Sequence, residues 1–351
     1  MKVLDRIELA VLITWIVIIS ASCRKDKSPV SPQTEIFNEI VSQVENHHYG
    51  EVHSLIIAKD DSIIFEKYFN GFTRETKHAL YSVTKSFTSA LIGICLDKGL
   101  LDSVNIPMLN FFPEYKNTIA NFDSLKAKIT IRDLLTMTSG FTWDEWTTSY
   151  NDPANDVIRL IQTDDWIKYV LDRPMAHEPG TFVTYNSGVS NLLSGIITKA
   201  TGEPARDFAR DNLFSKLGIT DWTWDNRPDG VSIGGWGLSL RPVDMIKFGQ
   251  LYLKKGLWKN EQVISKNWIE ESTIPYNQMN YWCDYGYQWW RYGSAMASVK
   301  AEGINFASGR GEQFIWVIPD HNAVVVCTAW NDGQNILEQV LWDYILRALE
   351  Y

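Results

Sequence analysis

A chain of 351 residues, 45% of them apolar, is long enough for one large or two modest domains with a sizeable core. A formal net charge of −9, unrelieved by any long basic run, argues against a nucleic-acid partner. Four cysteines fit no disulfide framework once Cys23 is set aside, and six histidines without a His-Glu-x-x-His pair give no metal centre. Phosphate-cradling glycine loops and Gly-x-Ser-x-Gly elbows are also missing from the sequence.

At the N-terminus Lys2 and Arg6 precede an apolar run from Leu9 to Ile19, followed by Ser20, Ala21, Ser22 and then Cys23. Residues 1–22 read as an export signal. Small residues ahead of a cysteine resemble a bacterial lipoprotein cleavage site. Cys23 would then be the lipidated first residue of a periplasmic or cell-surface protein, touching a membrane only through that lipid. A soluble secreted protein and an uncleaved anchor are the alternatives. Residues 23–33 are polar and contain proline, as in a flexible tether.

The domain proper is expected over residues 34–351. Apolar residues at helical spacing predict a first helix over 34–46, and two β-runs at 54–59 and 63–69 flank Asp60-Asp61-Ser62 as a hairpin. Next comes the stretch around which the chain is organised, residues 78–99. Phe87, Ala90, Leu91, Ile94 and Cys95 recur at helical spacing, Gly99 ends the pattern, and Ser82 and Lys85 sit three apart at its start. On a helix these two share a face, near the positive end of the dipole. A buried Lys85 loses its preference for the charged form, so it could take the proton of Ser82. An isolated Ser-x-x-Lys is weak, however: Ser82 could be a cap and Lys85 a solvated side chain, and Ser22 to Lys25 is a second copy without a helix behind it.

Further along, helices are predicted over 129–138 with Thr130 as cap, over about 156–171, over 187–202 behind a cap at Asn186 or Ser187, and over 205–217. A short extended piece leads to Tyr185, just ahead of the third of these. Gly234-Gly235-Trp236-Gly237 forms a tight loop, followed by helices at 242–255 and 265–272. The last third turns to β at 287–292, 304–307, 314–318 and 323–329, and a helix over 336–349 closes the chain. Strands at both ends with helices between them predict an α+β fold. One antiparallel sheet is built from residues 34–80 and 285–351 and flanked by the terminal helices, and a mainly helical domain over about 105–230 is inserted.

Five blocks in order suggest a family: SVTK at 82–85, LLTMTSGF at 134–141, YNSGVSNLLSGII at 185–197, GGWGLSLRPVDMIKFGQL at 234–251 and GRGEQFIWVIP at 309–319. Over roughly residues 40–350 the chain resembles the serine β-lactamase-related hydrolases, which include class C β-lactamases, D-alanyl-D-alanine carboxypeptidases, esterases and 6-aminohexanoate-oligomer hydrolases. The resemblance implies a β-lactamase/transpeptidase-like fold and an acyl-enzyme mechanism on an amide or ester, without metal or cofactor. Ser82 resembles the nucleophile, Lys85 its base and Tyr185 the residue that relays a proton to the leaving group. A nearby ammonium is expected to lower the Tyr185 phenol toward neutrality. One oxyanion donor would be the Ser82 backbone N–H, and the other would come from the strand after Gly309-Arg310-Gly311, near Gln313.

Two departures matter. Penicillin-recognising members carry Lys-Thr-Gly where this chain has Gly-Arg-Gly-Glu, so Arg310 either meets a substrate carboxylate or is a solvated turn residue. Ser187 also stands where β-lactamases have a substrate-contacting amide, a form closer to the 6-aminohexanoate-oligomer hydrolase and esterase branch. Ser187, Arg310, Gly311 and Gln313 are therefore the expected substrate contacts. The alternatives are a penicillin-binding carboxypeptidase or β-lactamase, and a non-catalytic surface lipoprotein that binds a peptide in the same cleft.

Overall fold

The computed structural model describes residues 31–351 apart from Pro228 and Asn335. The expected export signal, Cys23, the Ser22–Lys25 pair and most of the tether lie outside the described residues. No helix among the described residues is long and apolar enough to cross a membrane.

The hairpin forms as expected, β1 at Val52–Lys59 and β2 at Ser62–Tyr68, turning over Asp60 and Asp61, which both have positive φ. The other strands of the main sheet all come from the last third of the chain. They are β3 (Asn277–Gln278), β4 (Cys283–Tyr285), β5 (Trp290–Tyr292), β6 (Asn305–Gly309), β7 (Gln313–Ile318) and β8 (Ala323–Ala329). The order across the eight-stranded antiparallel sheet is β2-β1-β8-β7-β6-β5-β4-β3. The two ends of the chain therefore meet where β1 pairs with β8, Leu55 opposite Cys327 and Ile57 opposite Val325.

Both faces of the central strands are covered. Along β8, Val324 and Val326 enter one apolar cluster and Val325 and Cys327 the other, the period-two alternation of a strand. The second cluster is closed by α1 (Pro32–Glu45), through Ile36, Ile40 and Val44, and by the C-terminal segment, through Leu341 and Ile345. The first cluster joins the sheet to the helical region through α2 (Thr84–Asp97), α3 (Ser187–Thr201) and α4 (Pro242–Leu253). Helix α2 is buried nearly all round, as a central helix must be, from Thr84 through Cys95, with its polar residues gathered in the first half. Phe87 stacks on Phe248 of α4 with ring centroids 3.7 Å apart.

Several elements differ from the sequence pattern. The strand expected over 287–292 is shorter, because Gln288 takes a positive φ and the chain turns between β4 and β5. The helix over 156–171 is two, Asp156–Ile161 and Trp166–Leu171, the second capped by Asp165. Only Ile131–Leu135 of the 129–138 stretch is α-helical, with a Thr130–Asp133 capping box, and residues 181–185 do not form a strand. The closing helix is interrupted by a wide turn at Leu341–Ile345. A small sheet of His78–Ala79, Leu238–Leu240 and Trp222–Trp224 has strands too short to read from periodicity, and it ties the entry of α2 to the chain before α4.

Helix α4 lies close on the sheet because Gly249 has no side chain. A Cβ there would sit 2.4 Å from Val324 Cγ1 and 2.9 Å from Ile315 Cγ2. Gly249→Ala should therefore cost about 1–3 kcal/mol through overpacking. The expected readout is a lower urea midpoint at unchanged slope, and a midpoint equal to that of the parent would contradict this close approach.

Candidate active site

Ser82 lies in a single 3-10 turn, Tyr81–Val83, that runs into α2, so it precedes the helix instead of occupying its first turn. Tyr81 has φ of 48°, the left-handed region that a bulky residue rarely enters. The strained turn brings Ser82 to the wall of a cavity of about 880 Å³ that Tyr185, Trp146, Tyr150, Trp290 and Arg310 also line.

Lys85 is on the second residue of α2 and is 1% exposed. Its Nζ lies 2.8 Å from Ser82 Oγ, 3.0 Å from Ser187 Oγ and 2.9 Å from the Gly235 carbonyl oxygen. Burial pulls its pKa down to about 8, and the nearby Glu145 carboxylate resists that fall. A neutral amine has two N–H donors and one lone pair. With the donors on Ser187 and Gly235, the lone pair points at the Ser82 hydroxyl, which suits proton abstraction.

The glycine loop makes this cage possible. A Cβ on Gly234 would stand 2.1 Å from the Ser190 carbonyl oxygen, and one on Gly235 2.9 Å from that of Ser187. Only a loop without side chains can lie so close on the start of α3. Asn191 Oδ1 accepts from both loop N–H groups, at 2.9 and 3.3 Å, and Thr88 of α2 donates to the Gly234 carbonyl at 2.8 Å.

Tyr185 precedes α3, whose cap is the Asn186 side chain accepting from Val189 N–H at 3.1 Å. Its ring packs under the Trp146 indole, centroids 4.8 Å apart, and Lys85 Nζ lies 4.9 Å from its centre. The expected lowering of its phenol is reversed: burial first, then Glu145, push its pKa well above 10, with Ser82 pulling weakly the other way. Lys85 is thus the group moved toward neutrality, and Tyr185 stays protonated as a donor.

Glu145 is absent from the sequence reading. It sits in an irregular aromatic loop where one acid among several gives no periodic signal, yet it is only 2% exposed. Its Oε1 accepts from Ser187 Oγ at 2.7 Å and Tyr150 hydroxyl at 3.1 Å, and its Oε2 accepts from Ser187 N–H at 2.7 Å and Trp143 Nε1 at 2.6 Å. Four donors fix the carboxylate in place. Because Ser187 gives its proton to Glu145, its oxygen is left to accept from Lys85.

Two expected substrate contacts therefore change place. Ser187 does not line the cavity and instead links Glu145 to Lys85. Gln313 stands one strand over, paired with Gly309, and its buried amide donates to the Ala329 and Gly311 carbonyls at 2.5 and 3.3 Å. The residue beside Ser82 is Gly309, at the end of β6, where a Cβ would meet the Leu80 carbonyl at 2.2 Å and Ser82 N at 3.3 Å. The Ser82 N–H has no acceptor among the described residues. Arg310 and Gly311 do line the cavity, but the Arg310 guanidinium is forked onto Asp332, with Nε 2.7 Å from Oδ1.

With this geometry in view, the family model described as Beta-lactamase matches residues 41–350. The chain belongs to the Beta-lactamase family. The 6-aminohexanoate-dimer hydrolase of Paenarthrobacter ureafaciens is 23% identical over 302 residues, 80% of this chain and 73% of that protein. The D-alanyl-D-alanine-carboxypeptidase/endopeptidase AmpH of Escherichia coli K12 is 22% identical over 258 residues, 65% of each. Among solved structures, the octameric penicillin-binding protein homologue from Pyrococcus abyssi superposes with a TM-score of 0.71 at 19% identity, over 91% of this chain and 78% of that one. These likenesses place the α+β sheet-and-helix architecture among β-lactamase and penicillin-binding-protein folds.

In this member of the Beta-lactamase family Lys85 sits between a desolvating pocket and one buried carboxylate, which gives a sign to a pH experiment. Labelling of Ser82 by a fluorophosphonate should rise with pH through about 8, as Lys85 becomes neutral. Glu145→Gln removes the charge that favours the ammonium, so the rise should move to lower pH by on the order of one unit. The two hydroxyls on Oε1 can turn to accept from the new amide. A rise at the same or higher pH would contradict the assigned roles.

Proposed function

We propose that the protein is a serine hydrolase that cleaves an amide or ester through a Ser82 acyl-enzyme, close in type to the 6-aminohexanoate-oligomer hydrolases and esterases. The observation that carries the reading is the buried Lys85 bonded at once to Ser82, Ser187 and the Gly235 carbonyl. Such a lysine has no structural need of a serine in the wall of a cavity, whereas a nucleophile needs a base at this distance.

In the proposed reaction Ser82 Oγ attacks the substrate carbonyl while its proton passes to the neutral Lys85 amine. The oxyanion settles between the unpartnered Ser82 N–H and the backbone at Gly309. Collapse of the tetrahedral intermediate breaks the bond to the leaving group, which takes a proton from Tyr185, and Lys85 restores the phenol. Water then attacks the acyl-enzyme by the same route in reverse order. Trp146, half exposed and stacked on Tyr185, would shield this exchange from solvent. The carboxypeptidase alternative calls for a free cation to meet a terminal carboxylate, and Arg310 is already paired with Asp332. Export and a Cys23 lipid anchor belong to the same proposal and rest on residues 1–23 of the sequence.

Leaving-group chemistry tests the assignment. An amine must be protonated as it departs, but nitrophenolate need not be. Tyr185→Phe should lower amide turnover by about 10²- to 10⁴-fold and p-nitrophenyl ester turnover far less. Equal losses on both substrates would remove the proposed role of Tyr185.

A further inference from the structure

The cavity that begins at Ser82 does not end at the catalytic residues. It continues over the face of β5 and β6 to the half-buried Glu338 in the C-terminal segment. An unbroken aromatic wall leads there. Ring centroids are 5.7 Å apart for Tyr185 and Trp290, 6.1 Å for Trp290 and Phe306, and 4.4 Å for Phe306 and Tyr292, and Trp342 stands edge-on to Tyr292 at 6.1 Å. Resting on the hydrolase reading above, we propose that this far end is a subsite for a primary ammonium carried on the acyl chain of the substrate.

The charges favour a cation. Glu338 Oε1 accepts from the Tyr292 hydroxyl at 2.8 Å, and its other oxygen meets no donor among the described residues. Of the other two acids that line the cavity, Asp332 is paired with Arg310, and Glu312 is fully engaged, with Asn331 Nδ2 at 2.5 Å and the Leu337 N–H at 2.8 Å. The one cationic side chain among the described lining residues is Arg310, at the Ser82 end and paired with Asp332. Burial, with Glu312 a lesser cause, holds the Glu338 carboxyl above its usual range, as for an acid without a counter-ion. The Cys283 thiol beside it is pushed up to about 12 and stays neutral. A carboxylate at the base of an aromatic wall suits an ammonium, through one charge-assisted hydrogen bond and the ring faces.

The spacing sets the kind of chain. Gly309 lies against the Ser82 backbone and Phe306 is three residues down the same strand, about 10 Å along it. A carbonyl held beside Gly309 leaves its acyl chain to run down β6 with an amine at its far end. That reach exceeds that of an α-amino acid, so the amine belongs at the end of an extended acyl chain, for which a 6-aminohexanoyl group is the probe.

The test compares hydrolysis of p-nitrophenyl 6-aminohexanoate and p-nitrophenyl hexanoate by the parent protein and Glu338→Gln, which keeps an acceptor for Tyr292. The parent should prefer the amino ester by about tenfold to a hundredfold in kcat/KM, and the preference should fall toward unity in Glu338→Gln. No preference in the parent, or one unchanged by Glu338→Gln in a protein of parental melting temperature, would overturn the subsite. Hydrolysis of neither ester would instead count against the hydrolase reading. The subsite is then judged by titrating tryptophan fluorescence with 6-aminohexanoate and with hexanoate, since Trp290 and Trp342 line the path. Saturable change with the amine alone, weakened at least about tenfold in Glu338→Gln, sustains it. Equal responses overturn it.

Discussion

The structure depends on keeping one amine dry. Lys85 lies where the turn before α2, the start of α3 and the glycine loop before α4 meet, and each supplies one of its three hydrogen-bond partners. A buried ammonium without such partners would cost several kcal/mol, and fully paired it would hold its proton too tightly to act as a base. The site sits between these limits. Desolvation pulls Lys85 down to about 8, and Glu145, one residue further away through Ser187, stops the fall. Burial acts on Tyr185 in the opposite direction, holding the phenol protonated, and the same carboxylate adds to that effect. Two groups that face the same serine are thus pushed toward different roles.

This arrangement needs close backbone approaches that side chains would block. Gly234 and Gly235 rest on the first turn of α3, and Gly309 rests on the turn that carries Ser82. The sheet makes the second contact rigid, since β6 is held between β5 and β7 near the middle of eight strands. Strain at Tyr81 is affordable because Leu80 on one side and α2 on the other are both buried. Ser82 therefore belongs to the helical region while its backbone neighbour Gly309 belongs to the sheet. The seam between the two is the cleft.

Much of this is legible in the sequence because it is local or periodic. Ser82 and Lys85 are one helical turn apart, Asn186 precedes an apolar run, and β8 lies where its valine run predicts. What the sequence leaves unread depends on contacts between distant segments. Glu145 meets Ser187 across 42 positions, and no pattern in an aromatic loop announces that pairing. Gln313 looks like the strand residue nearest Ser82 until the turn at Arg310–Glu312 shows that Gly309 comes first and Gln313 falls on the neighbouring strand. The direction of the Tyr185 shift also needs three dimensions, because it turns on burial and on the unforeseen carboxylate more than on the lysine beside it. Glu338 belongs to the same class: its segment reads as an amphipathic helix, and only the cavity shows where its carboxylate faces.

The central claim is that Ser82, activated by a neutral Lys85, carries the acyl group. The most direct measurement is rapid-quench mass spectrometry during turnover of a p-nitrophenyl ester, with peptide mapping of the quenched protein. An added mass equal to the acyl group, confined to the peptide that contains Ser82 and absent from Ser82→Ala, is the predicted result. Turnover with the adduct on another residue, or with no adduct and undiminished by Ser82→Ala, would contradict it.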